Sequence, residues 1–287
     1  MSGQSVAEAL PPARSSVEIH TSKQDPELQE SSSMTHSSLF AACLIAVFYL
    51  CPRAEAQLIW DGDAANPIGK EKIFLNAVSE CPAPSSITVT DDAVRGKAWL
   101  FHKSAGEPRC EARSIRTGPN HTPYVFEQDK TYFIGWSFKL NDTHSNHHPF
   151  QWKSYETGHQ QNYPFLMNAK DGYLRLFYYG TPDDISGVIW TKPIEPFKWY
   201  CVVLAIHTSN QSARGWAELW FEGQVQTFSN GLERFFGRTW DGANRSANEP
   251  KWGAYNKHQP GVMEDVKNYI SGLKIGTTYE DVEQTCN

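Results

Sequence analysis

The feature that most constrains this sequence is its succession of short strand-forming runs, with almost no helical periodicity. Residues 131–140, TYFIGWSFKL, and residues 199–207, WYCVVLAIH, are rich in aromatic and β-branched side chains, which favour strands. Residues 163–168 and 173–179 flank Asp171-Gly172, a dipeptide typical of hairpin turns. Further strands are predicted at 86–90, 98–102, 110–115, 216–222 and 268–276, and a weak helical pattern occurs only at 231–236.

Many strands at short spacing, without alternating helices, predict an all-β fold. We expect a β-jelly roll, or concanavalin-like sandwich, of two antiparallel sheets. One sheet is expected to be concave and to form a groove for an extended polymer. No repeat and no long linker divides residues 57–287, so we expect a single domain there.

The first 56 residues are expected to stand apart from this domain. Residues 38–51 form an apolar run that is shorter than a membrane-spanning helix requires. The run is followed by Ala54-Glu55-Ala56, which matches the small-x-small pattern of signal-peptide cleavage sites. We therefore predict a polar extension at 1–33, a signal peptide at 34–56 and a secreted domain at 57–287. The alternative is a signal anchor that stays uncleaved.

Cysteine usage agrees with export to an oxidising compartment. Four cysteines follow the predicted cleavage site, and this even number predicts two disulfides without choosing among three pairings: Cys81, Cys110, Cys201 and Cys286. The absence of a C-x-x-C motif disfavours a zinc site. Glycosylation sequons, typical of exported chains, begin at Asn120, Asn141, Asn210 and Asn244.

The charge balance excludes one class of partner. The chain has 26 Lys and Arg against 32 Asp and Glu, a formal net charge of −6, which is no footprint for nucleic acid. An anionic partner would have to be met by a local basic cluster. The 10 Trp and 12 Tyr supply flat faces with polar edges, which suit carbohydrate.

Residues 147–158, HHPFQWKSYETG, alternate apolar and polar side chains from Phe150 to Lys153. Successive strand side chains point to opposite faces, so Gln151 and Lys153 would share one face and Phe150 and Trp152 the other. The apolar pair can enter a core. The amide and the ammonium then either sit in water, as in an ordinary exposed strand, or line a cleft that binds a ligand.

Two further segments show the same alternation. RCEAR places Arg109, Glu111 and Arg113 on one face, a pattern that a solvated ladder of charges also produces. KWGAYN places Lys251 and Tyr255 on one face, where an isolated tyrosine is ordinarily a residue at the edge of a core. Each segment has an unremarkable explanation when it is taken alone.

The three segments together resemble the jelly-roll polysaccharide lyases, which include alginate lyases and heparin lyase I-like enzymes. The order R-x-E-x-R, Q-x-basic and K-x-G-x-Y-N is most similar to the fungal-type glucuronan lyases, polysaccharide lyase family 20. The resemblance covers roughly residues 57–280 and includes the strand pair WYCVVLAIH and GWAELWFEGQ. It implies an endo-acting lyase that cleaves a β-1,4-linked, glucuronan-like polyuronate by β-elimination and leaves unsaturated uronate ends.

Such an elimination removes the proton on C5 of the sugar and expels the oxygen on C4, so the site must neutralise the neighbouring carboxylate. Tyr255 is the candidate proton shuttle, and the candidate carboxylate ligands are the amide of Gln151 and the guanidinium of Arg113 or Arg109. His102, on the strand before RCEAR, is expected to join them as a donor, although a histidine there is more often structural. Relatives that act on alginate carry His where Lys153 stands, which makes Lys153 the rival base.

The surrounding charges have supporting roles in this scheme. We expect Lys251 and the arginines to lower the pKa of Tyr255, and Glu111 to orient the two arginines. The predicted substrate-binding residues are Arg109, Glu111, Lys153, Arg175 and Lys251.

The resemblance also bears on partners and cofactors. It implies an anionic polysaccharide substrate and an extracellular monomer, with no nucleic acid, no membrane after signal cleavage and no organic cofactor. A structural Ca²⁺ stays open, but many relatives carry an acidic residue in the final strand where this chain has Ser271-Gly272, and this departure weakens the case for the ion. Two other functions also stay open: a glycoside hydrolase, which needs paired carboxylates, and a lectin that binds glycans without cutting them.

Overall fold

The computed structural model describes residues 56–158, 160–181, 186–243, 246–256 and 264–286. The predicted extension, and the predicted signal peptide except for Ala56, lie outside the described residues, as does Asn244 of the last sequon. No helix within the described ranges has the length and apolar character needed to cross a membrane.

The strands of the described ranges form two antiparallel sheets, which we call the back sheet and the front sheet. The back sheet contains β1 Leu58–Asp61, β3 Ser86–Asp92, β4 Gly96–Lys103, β7 Thr131–Leu140, β12 Trp199–His207, β13 Trp216–Phe221, β14 Gln224–Val225, β15 Arg234–Phe236 and β17 Val266–Gly276. The front sheet contains β2 Phe74–Asn76, β5 Arg109–Thr117, β6 Thr122–Pro123, β8 His147–Ser154, β9 Phe165–Lys170, β10 Tyr173–Tyr179, β11 Ser186–Pro193 and β16 Asn248–Tyr255.

The strand order shows many crossovers between distant parts of the chain. The back sheet runs β14-β13-β12-β7-β17-β4-β3, with β1 paired to β17 and β15 paired to β13. The front sheet runs β11-β10-β9-β8-β16-β5-β2, with β6 paired to β5. Helical structure in the described ranges is limited to α1 Lys70–Ile73 and the 3₁₀ turn Glu283–Cys286. The prediction of an all-β jelly-roll sandwich is confirmed.

The apolar sides of the two sheets form the core. Phe150 and Trp152 are both fully buried, and the ring of Phe150 stacks on back-sheet Trp136 with centroids 4.8 Å apart. Trp252 of β16 lies 6.0 Å from the same phenylalanine ring. Each fully buried side chain of this size stabilises the fold by roughly 2–3 kcal/mol. The predicted alternation is therefore confirmed, and core packing keeps Gln151 and Lys153 on the outer side of the front sheet.

The hairpin predicted at Asp171-Gly172 is present between β9 and β10. Both residues have positive φ angles, 56° and 77°, as the favoured two-residue hairpin turn requires. The turn pairs Lys170 with Tyr173 and fixes Arg175 opposite Asn168. The turn chemistry thus sets which residues of β10 share the outer face.

The weak helical pattern at residues 231–236 was misleading, because the segment contains strand β15 instead. Gly231 forms a turn with φ of 79°, and Arg234 then pairs with Glu218 of β13 at 2.6 Å. Phe235 is buried against Tyr178, with ring centroids 4.9 Å apart. Tertiary packing outweighs the local pattern in so short a segment.

Two disulfides join the four cysteines. Cys81 pairs with Cys110, and Cys201 pairs with Cys286. The first links the loop before β3 to β5 of the front sheet, and the second links β12 of the back sheet to the C-terminal 3₁₀ turn. The prediction of two disulfides is confirmed, and the pairing that the sequence left open is settled.

Candidate active site

The three polar motifs lie side by side in the front sheet. Strand β16 pairs with β5 on one side and with β8 on the other. Lys251 stands opposite both Arg113 and Gln151, and Tyr255 stands opposite both Arg109 and His148. Three segments that are distant from one another in the chain thus place their polar side chains on one face, as predicted.

Gly253 explains the glycine of the K-x-G-x-Y motif. Its φ of 140° lies in a region that other residues rarely adopt. A Cβ atom here would lie 2.2 Å from the backbone oxygen of Cys110, a distance that real contacts do not reach. Glycine therefore allows β16 to approach β5 closely beside Tyr255.

A buried ion pair forms the floor of the site. Lys251 and Glu111 are each 1% exposed, and their charged atoms lie 2.9 Å apart. Gln151 donates from Nε2 to Oε1 of Glu111 at 2.6 Å. Burial raises the pKa of Glu111 and Lys251 opposes that rise. Lys251, Glu111 and Gln151 are all buried beneath the surface of the sheet, and the direct substrate binding predicted for Lys251 and Glu111 stays a prediction.

The two arginines have different carboxylate partners. Arg109 pairs with Glu80 at 3.0 Å and lies 3.9 Å from Glu111. Arg113 donates to Glu249 at 2.8 Å. Glu111 was expected to orient both arginines, but the hydrogen-bonded carboxylates are Glu80 for Arg109 and Glu249 for Arg113, and Glu111 lies only within 3.9 Å of Arg109.

Aromatic rings flank both guanidinium groups. The guanidinium carbon of Arg113 lies 3.6 Å from the ring centroid of Tyr155, and that of Arg109 lies 4.7 Å from the ring centroid of Tyr255. A cation over an aromatic face is attracted by the ring quadrupole. Each arginine is therefore fixed by an anion and by a ring.

Lys153 differs from the other cations of the cluster. Its ammonium bonds to the amide oxygen of Asn162, and it makes no ion pair with a described carboxylate. Burial, reinforced by the charge of Lys251, lowers the pKa of Lys153 to about 8. This side chain therefore loses its proton more readily than an ordinary lysine, and it has no anion committed to it among the described residues.

Tyr255 is half-buried and lies beside His148, with ring centroids 5.5 Å apart. Burial raises the pKa of the Tyr255 phenol, and Arg109 opposes that rise without cancelling it. The predicted lowering of the pKa of Tyr255 is thus wrong in sign, because burial outweighs the nearby positive charge.

His102 does not join the cluster. It lies on β4, which belongs to the back sheet, and its Nε2 is 2.5 Å from Oδ1 of Asp265. The sequence places β4 directly before β5, but successive strands here belong to different sheets. The expected place for His102 among the carboxylate ligands is therefore corrected to a surface pair on the back sheet.

Arg175 lines a cavity of about 430 Å³ on the outer side of the front sheet. His148 and Tyr163 line the same cavity, which therefore adjoins Tyr255. Phe177 and Tyr179 stack within the cavity wall with centroids 5.7 Å apart. A charged group beside half-buried aromatic rings is suited to an acidic sugar.

The final strand gives no support to a calcium site. Gly272 donates its backbone N–H to Asp63 at 2.9 Å, so this carboxylate already has a partner. The described residues contain no group of three His, Cys, Asp or Glu side chains placed to hold a metal ion. Ca²⁺ takes six to eight oxygen ligands, which can include backbone carbonyls, so a structural Ca²⁺ stays a prediction.

Sequence reasoning missed four residues of the site: Glu80, Asn162, His148 and Glu249. Glu249 lies two residues before Lys251, so strand alternation places it on the same face, and this signal was available. His148 faces Tyr255 only because the register between β8 and β16 shifts between Trp252 and Tyr255. Glu80 and Asn162 lie in loops, where no periodicity indicates their direction.

Comparisons with known proteins identify the family and the fold. The family model described as "Polysaccharide lyase" matches residues 76–274. The fold is similar to an endo-β-1,4-glucuronan lyase from the fungus Trichoderma reesei, with a TM-score of 0.55, 15% identity, and coverage of 80% of this chain and 98% of that one. The alginate lyase AlgAT5 of polysaccharide lyase family 7 gives a TM-score of 0.46 at 13% identity, covering 78% of this chain and 94% of that one. No curated protein matches the sequence. Since the family model spans well over half of the chain and includes β5, β8 and β16, this chain belongs to the polysaccharide lyase family.

Proposed function

We propose that this chain is a secreted, endo-acting lyase that cleaves a β-1,4-linked polyuronate of the glucuronan type by β-elimination. The main support is that Lys153, Gln151 and Tyr255 share the outer side of the front sheet. The other cations of the cluster, unlike Lys153, are paired with carboxylates. The fold similarity to a glucuronan lyase supports the choice of polymer. The predicted signal sequence and the two disulfides support secretion.

The pairing of charges identifies the group that meets the substrate carboxylate. Arg109 and Lys251 are balanced by Glu80 and Glu111. Arg113 is likewise balanced by Glu249. The positive charge left over in the described cluster is that of Lys153. A uronate carboxylate would therefore be drawn to Lys153.

Gln151 supplies the second contact to the carboxylate. One hydrogen of its amide nitrogen is committed to Glu111, which fixes the orientation of the amide. The second hydrogen on that nitrogen is available to a ligand. As the proton leaves C5, negative charge spreads onto the carboxylate, and the ammonium and the amide stabilise this enediolate more than the ground state.

Tyr255 is the proposed proton shuttle. The phenolate takes the proton from C5, the C4–O4 bond breaks, a C4=C5 double bond forms, and the phenol returns the proton to O4. In a β-1,4-linked glucuronate the large ring substituents are equatorial, so the C5 hydrogen and O4 lie on the same side of the ring. One group can then serve both steps, and Arg109 beside the ring favours the phenolate that begins them.

The cavity beside Tyr255 is proposed to bind a neighbouring sugar of the chain. Arg175 would meet its carboxylate, and Phe177 and Tyr179 would meet its apolar ring face. The 430 Å³ volume falls within the range of small-molecule sites. An extended polymer would then run across the front sheet from Lys153 towards β10.

The function is tested on a panel of purified polyuronates, including glucuronan and alginate, with the wild-type protein. We expect ultraviolet absorbance from unsaturated uronate ends, greatest with glucuronan, and an early fall in viscosity because the cuts are internal. Reducing ends without that absorbance would indicate a hydrolase, and binding without chain shortening would indicate a lectin. Either result would contradict the proposed elimination.

Substitutions of Lys153 separate a carboxylate ligand from a base. Lys153→Arg keeps the positive charge, so we expect kcat/KM to stay within about tenfold of wild type, whereas Lys153→Met should lose about 10²–10³-fold. If both variants are equally inactive, Lys153 transfers the proton and the roles given above are wrong.

The pH profile provides an independent check on the same assignment. With Tyr255 needed as phenolate and Lys153 as ammonium, wild-type kcat/KM rises with pH and levels off near pH 8, because loss of the ammonium then offsets gain of phenolate. In Lys153→Arg the cation no longer titrates, so the rise should continue beyond pH 8. If kcat/KM levels off at the same pH in the wild type and in Lys153→Arg, the role of the Lys153 ammonium is contradicted.

A further inference from the structure

Glu80 contacts the cluster although it belongs to none of the cluster's strands. It lies in the loop between β2 and β3, and its Oε2 accepts from Arg109 at 3.0 Å and from Lys251 at 2.7 Å. Burial would raise the pKa of Glu80, but hydrogen bonds from Lys251 and Arg109 outweigh it and hold the pKa below the usual value. One ionised carboxylate oxygen thus bridges the two cations.

Three connections bind the Glu80 segment to β5. The neighbouring Cys81 is disulfide-bonded to Cys110, which lies between Arg109 and Glu111 in the strand. The backbone oxygen of Glu80 accepts from the backbone N–H of Glu111 at 3.0 Å. The carboxylate then reaches Arg109. The disulfide and the backbone bond therefore set the position from which the carboxylate acts.

Arg109 has little else to hold it in place. Its other carboxylate contact is Glu111 at 3.9 Å, and that group is already bound by Lys251 and Gln151. Without Glu80, the half-exposed guanidinium would be free to turn towards solvent and away from the Tyr255 ring, 4.7 Å away.

We propose that Glu80 is a positioning residue, whose carboxylate holds Arg109 over Tyr255 and which is itself fixed by the Cys81–Cys110 disulfide. The inference rests on the proposed function only in giving Tyr255 the proton transfer. Glu80 acts through Arg109 and has no contact with substrate in this scheme.

The first test does not depend on activity. The pKa of the Tyr255 phenol is measured by ¹³C NMR of labelled tyrosine, with its signal assigned by its loss in Tyr255→Phe. In Glu80→Ala, and in the double variant Cys81→Ala/Cys110→Ala, we expect this pKa to rise towards its value in Arg109→Met. The double variant keeps the charge of Glu80, so a rise in the pKa of Tyr255 in that variant reports only a change in the position of Glu80.

The matched control removes the other disulfide. Cys201→Ala/Cys286→Ala frees β12 from the 3₁₀ turn on the back sheet, so the pKa of Tyr255 should stay at its wild-type value. An unchanged pKa in Glu80→Ala overturns the proposal, and an unchanged pKa in the Cys81/Cys110 variant overturns the part given to the disulfide. Glu80→Gln, which keeps the side-chain volume, serves if Glu80→Ala does not fold.

The second test uses kinetics on whichever polyuronate the wild type cleaves. We expect Glu80→Ala to lower kcat about 10- to 100-fold, as misplacement of a supporting group does, with KM within a few-fold because the cations remain. Glu80→Gln should recover part of kcat, and adding Glu80→Ala to the Cys81/Cys110 variant should cost little more. An equal fall in kcat for both disulfide variants would show general loosening and contradict the proposal. If the wild type cleaves no polyuronate, the proposed function fails, while the NMR measurement still decides the role of Glu80.

Discussion

Tyr255→Phe is expected to lower kcat by about 10³-fold or more, because the variant lacks the hydroxyl that takes the C5 proton and returns it to O4. The phenyl ring keeps the contact with the Arg109 guanidinium, so the fold and the cluster should persist. The measurement is the rate of appearance of unsaturated uronate ends at saturating substrate, with unfolding curves recorded for both proteins.

The same substitution elsewhere on the sheet is the control for this experiment. Tyr173 lies on β10 and is 44% exposed, and Tyr173→Phe removes a hydroxyl outside the cluster. We expect its kcat to remain within a few-fold of wild type. A Tyr255→Phe variant that is as active as Tyr173→Phe would remove Tyr255 from the mechanism and leave Lys153 as the proton-transfer group.

Strand alternation made much of the front sheet predictable. Phe150 and Trp152 had to be buried, so Gln151 and Lys153 had to point the other way, and the same reasoning applied to Cys110 and Ala112 in RCEAR. Period-two patterns depend on local geometry alone, which is why they transfer from sequence to structure without knowledge of the fold.

The order of strands could not be obtained in the same way. His102 precedes RCEAR by only a few residues, yet β4 and β5 lie in different sheets, whereas Lys251 is distant in sequence and lies beside Arg113. Which sheet a strand joins, and which strands become its neighbours, is set by the packing of the whole core. A histidine on the preceding strand was therefore a poor guide to the composition of the site.

Electrostatic balance was the least predictable property. The sequence shows four cations in the motifs, but not that three carboxylates, Glu80, Glu111 and Glu249, would neutralise three of those cations. It also does not show that burial would dominate the pKa of Tyr255. Both depend on distances and solvent exposure, which follow from tertiary structure. The proposed role of Lys153 became visible only after the other charges had been paired.

Lys251→Met is expected to cause the largest loss of stability among the substitutions considered. Glu111 would remain fully buried without the cation 2.9 Å away, and breaking a buried ion pair from one side costs about 3–5 kcal/mol. Lys198→Met is the control, because Lys198 and Glu195 form an exposed pair, 57% and 70% accessible, and exposed ion pairs contribute little to stability. Denaturant unfolding of both variants and of the wild type gives the change in the free energy of unfolding that each substitution causes.

The pH dependence and a double variant distinguish an unpaired charge from lost packing. Burial already raises the pKa of Glu111, and losing Lys251 raises it further, so the folded variant binds a proton more tightly than the unfolded chain. Stability of Lys251→Met should therefore increase as pH falls towards the pKa of Glu111 and decrease as pH rises.

The double variant Lys251→Met/Glu111→Gln removes the unpaired charge and keeps an acceptor for Gln151, so it should recover much of the stability that Lys251→Met loses. A double variant no more stable than Lys251→Met, with no gain on acidification, would show that the methylene stem of Lys251 supports the sheet and that its charge does not.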